Sequence, residues 1–93
     1  MTPEGNLKRE VKAYLKGFGD RCWFFMHVPM GYGQRGVPDF TGCLDGRFFA
    51  IETKSPGGKL TPWQKKALEE IREAGGTICV AFSIEDVKKA LGD

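Results

Sequence analysis

Asp39, Glu52 and Lys54 are the residues of this chain whose types and spacing could do chemistry. The stretch FFAIETKSPGG, residues 48 to 58, begins as an apolar strand. It ends with an acid and a base one residue apart, just before a Pro-Gly-Gly break. Charged groups are costly to bury unless paired or bound, so that ending asks for a reason. Asp45-Gly46 is the strongest short signal for a two-residue hairpin. Such a turn pairs Leu44 with Arg47, and counting outward sets Asp39 opposite Glu52. Opposed residues carry their side chains on one face, with Cβ atoms roughly 4.5–5.5 Å apart. Lys54, two residues beyond Glu52, shares that face. Two chemistries fit. Either Lys54 neutralises two adjacent carboxylates as a strand-end ion pair, which is worth little if exposed. Or a divalent cation sits between Asp39 and Glu52, with the carbonyl of Thr53 as a third ligand and several retained waters. A one-residue change in the turn would move Asp39 to the other face.

The elements that must position these residues can be read along the chain. Thr2-Pro3-Glu4 starts a helix: a capping hydroxyl, a first-position proline and a first-turn acid. Leu7, Val11, Tyr14, Leu15 and Phe18 continue it at helical spacing, and Gly17 and Gly19 end it. Cys22 to Val28 is an aromatic-rich strand, with Trp23 and His27 expected to pack within it. Residues 29 to 38, PMGYGQRGVP, form a loop. Asp39–Leu44 and Arg47–Lys54 are strands joined by the Asp45-Gly46 turn. Thr61-Pro62-Trp63-Gln64 opens a second helix with a capping box, and its inner stripe is Trp63, Ala67, Leu68, Ile71 and Ala74. Gly75-Gly76 stops it. Thr77–Phe82 is a fourth strand, and Ser83 caps a last helix facing inward through Ile84, Val87 and Leu91. The order predicts an α/β fold: a mixed four-stranded sheet flanked by helices, with a meander followed by a parallel crossover through the second helix.

Length and composition bound the rest. With 93 residues the chain suits one domain, residues 1–93. A domain of this size buries only about 60–65% of its unfolded surface, leaving room for a dimer. A formal net charge of +2 permits a nucleic-acid partner without arguing for one. Cys22, Cys43 and Cys79 are widely spaced and read as small buried hydrophobes in a reducing cytosol rather than a zinc site. No window approaches the roughly 20 apolar residues of a membrane span, and no signal-peptide pattern opens the chain. SPGGKLT is not a phosphate loop, because Lys59 is followed by Leu60. No Ser-His-Asp arrangement is evident.

Pro38-Asp39 followed by Glu52-Thr53-Lys54 resembles the PD-(D/E)XK nuclease signature. The longer strings RGVPDF, FFAIETKSPGGKLTPWQ and EAGGTICVAFSIEDVKKAL resemble its VRR-NUC branch over nearly the whole chain. The resemblance implies a restriction-endonuclease-like αβββαβ(α) core, which agrees with the order read above. It implies hydrolysis of DNA phosphodiesters dependent on Mg²⁺ or Mn²⁺. Its small stand-alone members look like homodimeric Holliday-junction resolvases, so branched DNA rather than a small molecule is the implied partner. Asp39 and Glu52 match the family's metal carboxylates and Lys54 its catalytic lysine. Glu4 resembles the acid carried on the first helix beside the metal, reached directly or through water, with Glu10 the competitor. Gln64 matches a glutamine near the active site while also serving the capping box.

Arg35, Lys59, Lys65 and Lys66 flank this site in sequence and could contact phosphate, and Tyr32 on the glycine loop could stack on an unpaired base. Because no helix is rich in base-reading Arg, Asn and Gln, selectivity is expected from DNA shape. The competing expectations are a flap or fork nuclease and a non-catalytic branched-DNA-binding module acting with a partner. The small size suits a bacterial or phage-infected cytosol.

Overall fold

The computed structural model describes residues 2–28 and 34–92. The elements are α1 (Pro3–Lys16), β1 (Cys22–Met26), β2 (Phe40–Leu44), β3 (Arg47–Thr53), α2 (Pro62–Glu73), β4 (Thr77–Ala81) and α3 (Ile84–Ala90), with a short 3₁₀ turn at Gly19–Arg21 before β1. The expected order and fold class are those observed. The sheet runs β1-β2-β3-β4. The first two pairings are antiparallel, and β3 pairs with β4 in parallel across α2.

Local chemistry accounts for the boundaries. Thr2 Oγ1 accepts from Gly5 N at 3.0 Å and starts α1. Asp45 and Gly46 both have positive φ, 52° and 84°, as a two-residue hairpin of this twist requires. The turn therefore sets Leu44 against Arg47 and Phe40 against Ile51, the register expected from it. Thr61 and Gln64 close a reciprocal capping box at the head of α2, and Ser83 caps α3.

The core lies on one side of the sheet. Leu7, Val11 and Leu15 of α1 and Val87 of α3 pack on Phe40, Leu44, Phe49, Ile51, Cys79 and Ala81. Fully burying a side chain of this kind contributes about 1.5–3 kcal/mol. Alternation along the strands then puts Cys43, Phe48, Ala50 and Glu52 on the opposite face. There α2 buries Ala67 and Leu68, and it packs mainly against β4.

Several expectations about this second face need correcting. Trp23 is 70% exposed and Phe25 54%, because β1 is an edge strand and α2 lies over the other end of the sheet. Phe48 is partly exposed for the same reason. Of the cysteines only Cys79 is buried, and Cys43, which shares the face of Trp23, is exposed. Trp63 is not part of the inner stripe of α2: it is half exposed. The strands also end earlier than expected, at Met26, Thr53 and Ala81. Among the described residues, no helix is long and apolar enough to cross a membrane.

Candidate active site and metal centre

The sequence places Glu52 at the penultimate position of β3, where strand alternation turns it toward α2. The residue is 4% exposed. Its Oε2 accepts from Gln64 Nε2 at 3.1 Å and lies 3.7 Å from Lys54 Nζ. A backbone hydrogen bond from Asp39 also reaches it. These contacts do not offset its surroundings. Burial first, then the neighbouring Asp39 carboxylate, pushes the Glu52 carboxyl up to about 7, against the pull of Lys54. A carboxyl with a perturbed pKa and a specific charge partner marks a candidate functional site.

Gln64 explains how helix and strand meet here. Its Oε1 accepts from Thr61 N at 2.9 Å, while Thr61 Oγ1 accepts from Gln64 N at 3.2 Å. The other end of the same amide is the Nε2 that donates to Glu52. Capping and contact with the carboxylate are thus one arrangement, not competing ones.

Asp39 departs from the simple opposed pair. The β2–β3 ladder ends at Phe40 and Ile51, so Asp39 lies one residue outside the strand, after the fully buried Pro38. Its backbone carbonyl accepts from His27 N at 2.7 Å, which ties the end of β1 to this corner. Its Oδ2 accepts from both Thr53 N at 2.9 Å and Thr53 Oγ1 at 2.6 Å. The carboxylate thus reaches past Glu52 to the following residue. It remains close enough to Glu52 to help raise its pKa.

Glu4 and Lys8 approach from α1. Lys8 Nζ lies 3.6 Å from Glu4 Oε2 and 3.7 Å from Asp39 Oδ1, so the lysine bridges the two acids. Glu4 is linked to the site through Lys8, and it adds the smallest of the contributions that raise Glu52. Glu10 is exposed on the same helix. Sequence reading missed Lys8, the hydroxyl of Thr53 and the exposure of Trp63. The spacing of Glu4 and Lys8, four residues apart on a helix, was the available signal for the first.

The basic residues divide. Arg35 and Lys66 gather on Trp63, with the guanidinium carbon 5.5 Å and the ammonium 6.0 Å from the ring centroid. Lys59 and Lys65 are exposed. Tyr32 lies outside the described residues.

The donor set can be tested against a metal. Among the described residues no three His, Cys, Asp or Glu side chains gather to hold an ion. A closed zinc-type cage takes four protein ligands. Two adjacent carboxylates, one buried and resisting ionisation, fit a hard divalent cation that keeps much of its water.

The mixed sheet sets two carboxylates and a lysine at one rim. The VRR-NUC domain model matches residues 9–83, and the chain belongs to that family. A solved structure titled "VRR_NUC domain" superposes with a TM-score of 0.78. The two chains are 24% identical, over 99% of this chain and 97% of the other. No curated protein matches.

Proposed function

We propose that this protein is a metal-dependent, structure-selective DNA endonuclease that hydrolyses phosphodiester bonds of four-way junctions. The observation that carries the reading is Glu52: a buried carboxylate beside Asp39, touched by Gln64 and Lys54, whose ionised form lacks sufficient compensation. Asp39, Glu52 and the Thr53 carbonyl would hold Mg²⁺ or Mn²⁺, with Glu4 acting through water. When bound, such a cation supplies Lewis acidity, lowering the pKa of water and neutralising charge on the phosphate. Lys54 then has the task of orienting the attacking water and stabilising charge on the transferring phosphate. Thr53 fixes the Asp39 carboxylate through two hydrogen bonds. Gln64 fixes Glu52 from a helix whose start is itself locked by the capping box. Arg35, Lys59, Lys65 and Lys66 supply phosphate contacts that set position rather than sequence.

A homodimer would set two such sites across a branched substrate. The exposed sheet face running from Trp23 and Phe25 on β1 to Phe48 on β3 supports this reading, because large exposed apolar patches mark interaction surfaces. An antiparallel pairing of two β1 strands would be self-complementary, as a two-fold interface demands.

The test is a cleavage panel of linear, flapped, forked and four-way DNA with Mg²⁺, Mn²⁺ or chelator. Metal-dependent cleavage centred on the four-way substrate is expected. Equal cutting of all four DNAs would reject structure selectivity, and no cutting with either metal would reject the enzyme. Sedimentation of a monomer at micromolar concentration, together with full junction cleavage, would remove the dimer.

A further inference from the structure

We infer that Trp63 is a stacking platform for one unpaired nucleobase next to the cleavage site, an inference that rests on the nuclease reading above. An isolated exposed aromatic needs no explanation. The neighbours of this one give it a task. Arg35 and Lys66 approach its ring at 5.5 and 6.0 Å, near the outer limit of about 6 Å for a cation–π contact. Half of the residue stays exposed. The ring lines a cavity of about 180 Å³ shared with Gln34, Arg35, Lys66 and Glu70. That is below the ~300 Å³ where pockets for drug-sized ligands begin, so it suits a single base rather than a whole nucleotide. Glu70 disfavours a phosphate inside the cavity and can accept from a base amino group, while the two cations can hold the backbone outside it. Aromatic stacking combined with neighbouring cations is the general means of holding single-stranded nucleic acid.

The position of the platform is also fixed. A Cβ on Gly36 would lie 2.3 Å from the Trp63 carbonyl oxygen, and Gly36 has φ +76°. The Arg35-Gly36 turn therefore rests directly on the first turn of α2, which brings Arg35 to Trp63. The next residue, Gln64, touches Glu52. Trp63 and Glu52 are thus linked through the first turn of α2, and a fully paired duplex has no base free to enter the cavity.

The experiment uses a duplex carrying one unpaired 2-aminopurine and the same duplex fully paired, with chelator present to prevent cleavage. Wild type should quench the unpaired 2-aminopurine on binding. Trp63→Ala and Trp63→Leu, the latter keeping apolar bulk without a ring, should lose the quenching and bind that DNA about tenfold more weakly. Both should bind the paired duplex as wild type does, and Trp63→Phe should restore most of the quenching. Unchanged quenching in the Leu variant, or equal weakening on both DNAs, overturns the platform and leaves the nuclease reading standing. Failure of wild type to bind either DNA, with or without Mn²⁺, overturns both.

Discussion

Each end of the β2–β3 hairpin has a carboxylate paired with a cation, Asp45 with Arg21 from the turn before β1 and Glu52 with Lys54, and the two pairs behave in opposite ways. At the turn, Arg21 holds Asp45 in a fork, with Nε to Oδ1 at 2.9 Å and a terminal nitrogen to Oδ2 at 2.7 Å. Both side chains are about half exposed. The Arg21 hydrogen bonds hold the Asp45 carboxyl below the usual range. At the open end, Lys54 lies 3.7 Å from Glu52 and both side chains are nearly buried. There the Glu52 carboxyl is pushed up to about 7. The well-made pair sits where water would have solvated it anyway, and the loose pair sits where charge is expensive. A fold selected for stability alone would satisfy the buried carboxylate better or replace it. The contrast supports the proposed site at the open end and a folding role for the turn end, and it can be broken at either end.

The largest expected effect is on chemistry at the open end. Glu52→Gln keeps the size of the side chain and an oxygen able to accept from Gln64, but it removes the charge. Junction cleavage with Mn²⁺ should fall by about 10³-fold or more, the scale of several kcal/mol of lost metal-assisted catalysis. Lys54→Ala should cost about 10²-fold. Cleavage that survives either change undiminished would mean the site lies elsewhere.

The same residue should dominate metal-free stability around neutrality. The folded-state pKa of Glu52 is about 7, above its ordinary 4.5, so between these values the folded protein binds more proton than the unfolded chain. Stability must then fall as pH rises through this window and level off above about pH 7. A shift of that size corresponds to something on the order of 3 kcal/mol. Thermal melts in chelator should show wild type and Glu52→Gln matched below about pH 4, with the variant melting several degrees higher at pH 8. Parallel melting curves across this range would show that Glu52 ionises freely.

Gly36 offers an intermediate effect and a built-in control. Gly36 and Gly46 both have positive φ, 76° and 84°. Alanine at either pays a left-handed backbone penalty of about 1–2 kcal/mol. At Gly46 nothing lies within 4 Å of an added Cβ, whereas at Gly36 it would strike the Trp63 backbone. Gly36→Ala should therefore be destabilised beyond Gly46→Ala. It should also lose cleavage roughly tenfold as the head of α2 is displaced, since small misplacements near a reacting centre can cost up to 10²-fold. Gly46→Ala should cleave normally. Equal behaviour of the two variants would mean the turn at residue 36 does not bear on the site.

These cases also show which parts were legible in the sequence. The register was, because Asp45-Gly46 admits one turn geometry and every pairing follows from it. Gln64 was, because a capping box fixes where its amide must be. The exact reach of Asp39 was not. The ladder stops one pair short, and two donors on Thr53 draw its carboxylate beyond Glu52, a choice that strand alternation cannot anticipate. The exposure of Trp23, Cys43 and Trp63 was hidden for a different reason. Periodicity assigns a residue to a face, but not whether a helix covers that part of the face. Here α2 packs mainly on β4 and leaves β1 open.

The smallest effect is expected at the turn. Asp45→Asn removes the charge bound by Arg21 but suits the left-handed conformation at φ 52° that Asp45 adopts. Junction cleavage should be unchanged, while melting at neutral pH should be slightly lower than wild type and should converge with it in acid. Because the Asp45 carboxyl is held below its ordinary 3.8, its contribution is present above that value and is lost as pH falls below it. Wild type should therefore lose slightly more stability than the variant on acidification below about pH 4. Glu52 gives a slope of the opposite sign, and at a higher pH. Melts from pH 3 to pH 8 on the two single variants would resolve these as separate limbs. A cleavage defect in Asp45→Asn would show that the turn governs the open end through the strands, and the division of labour within the hairpin would fail.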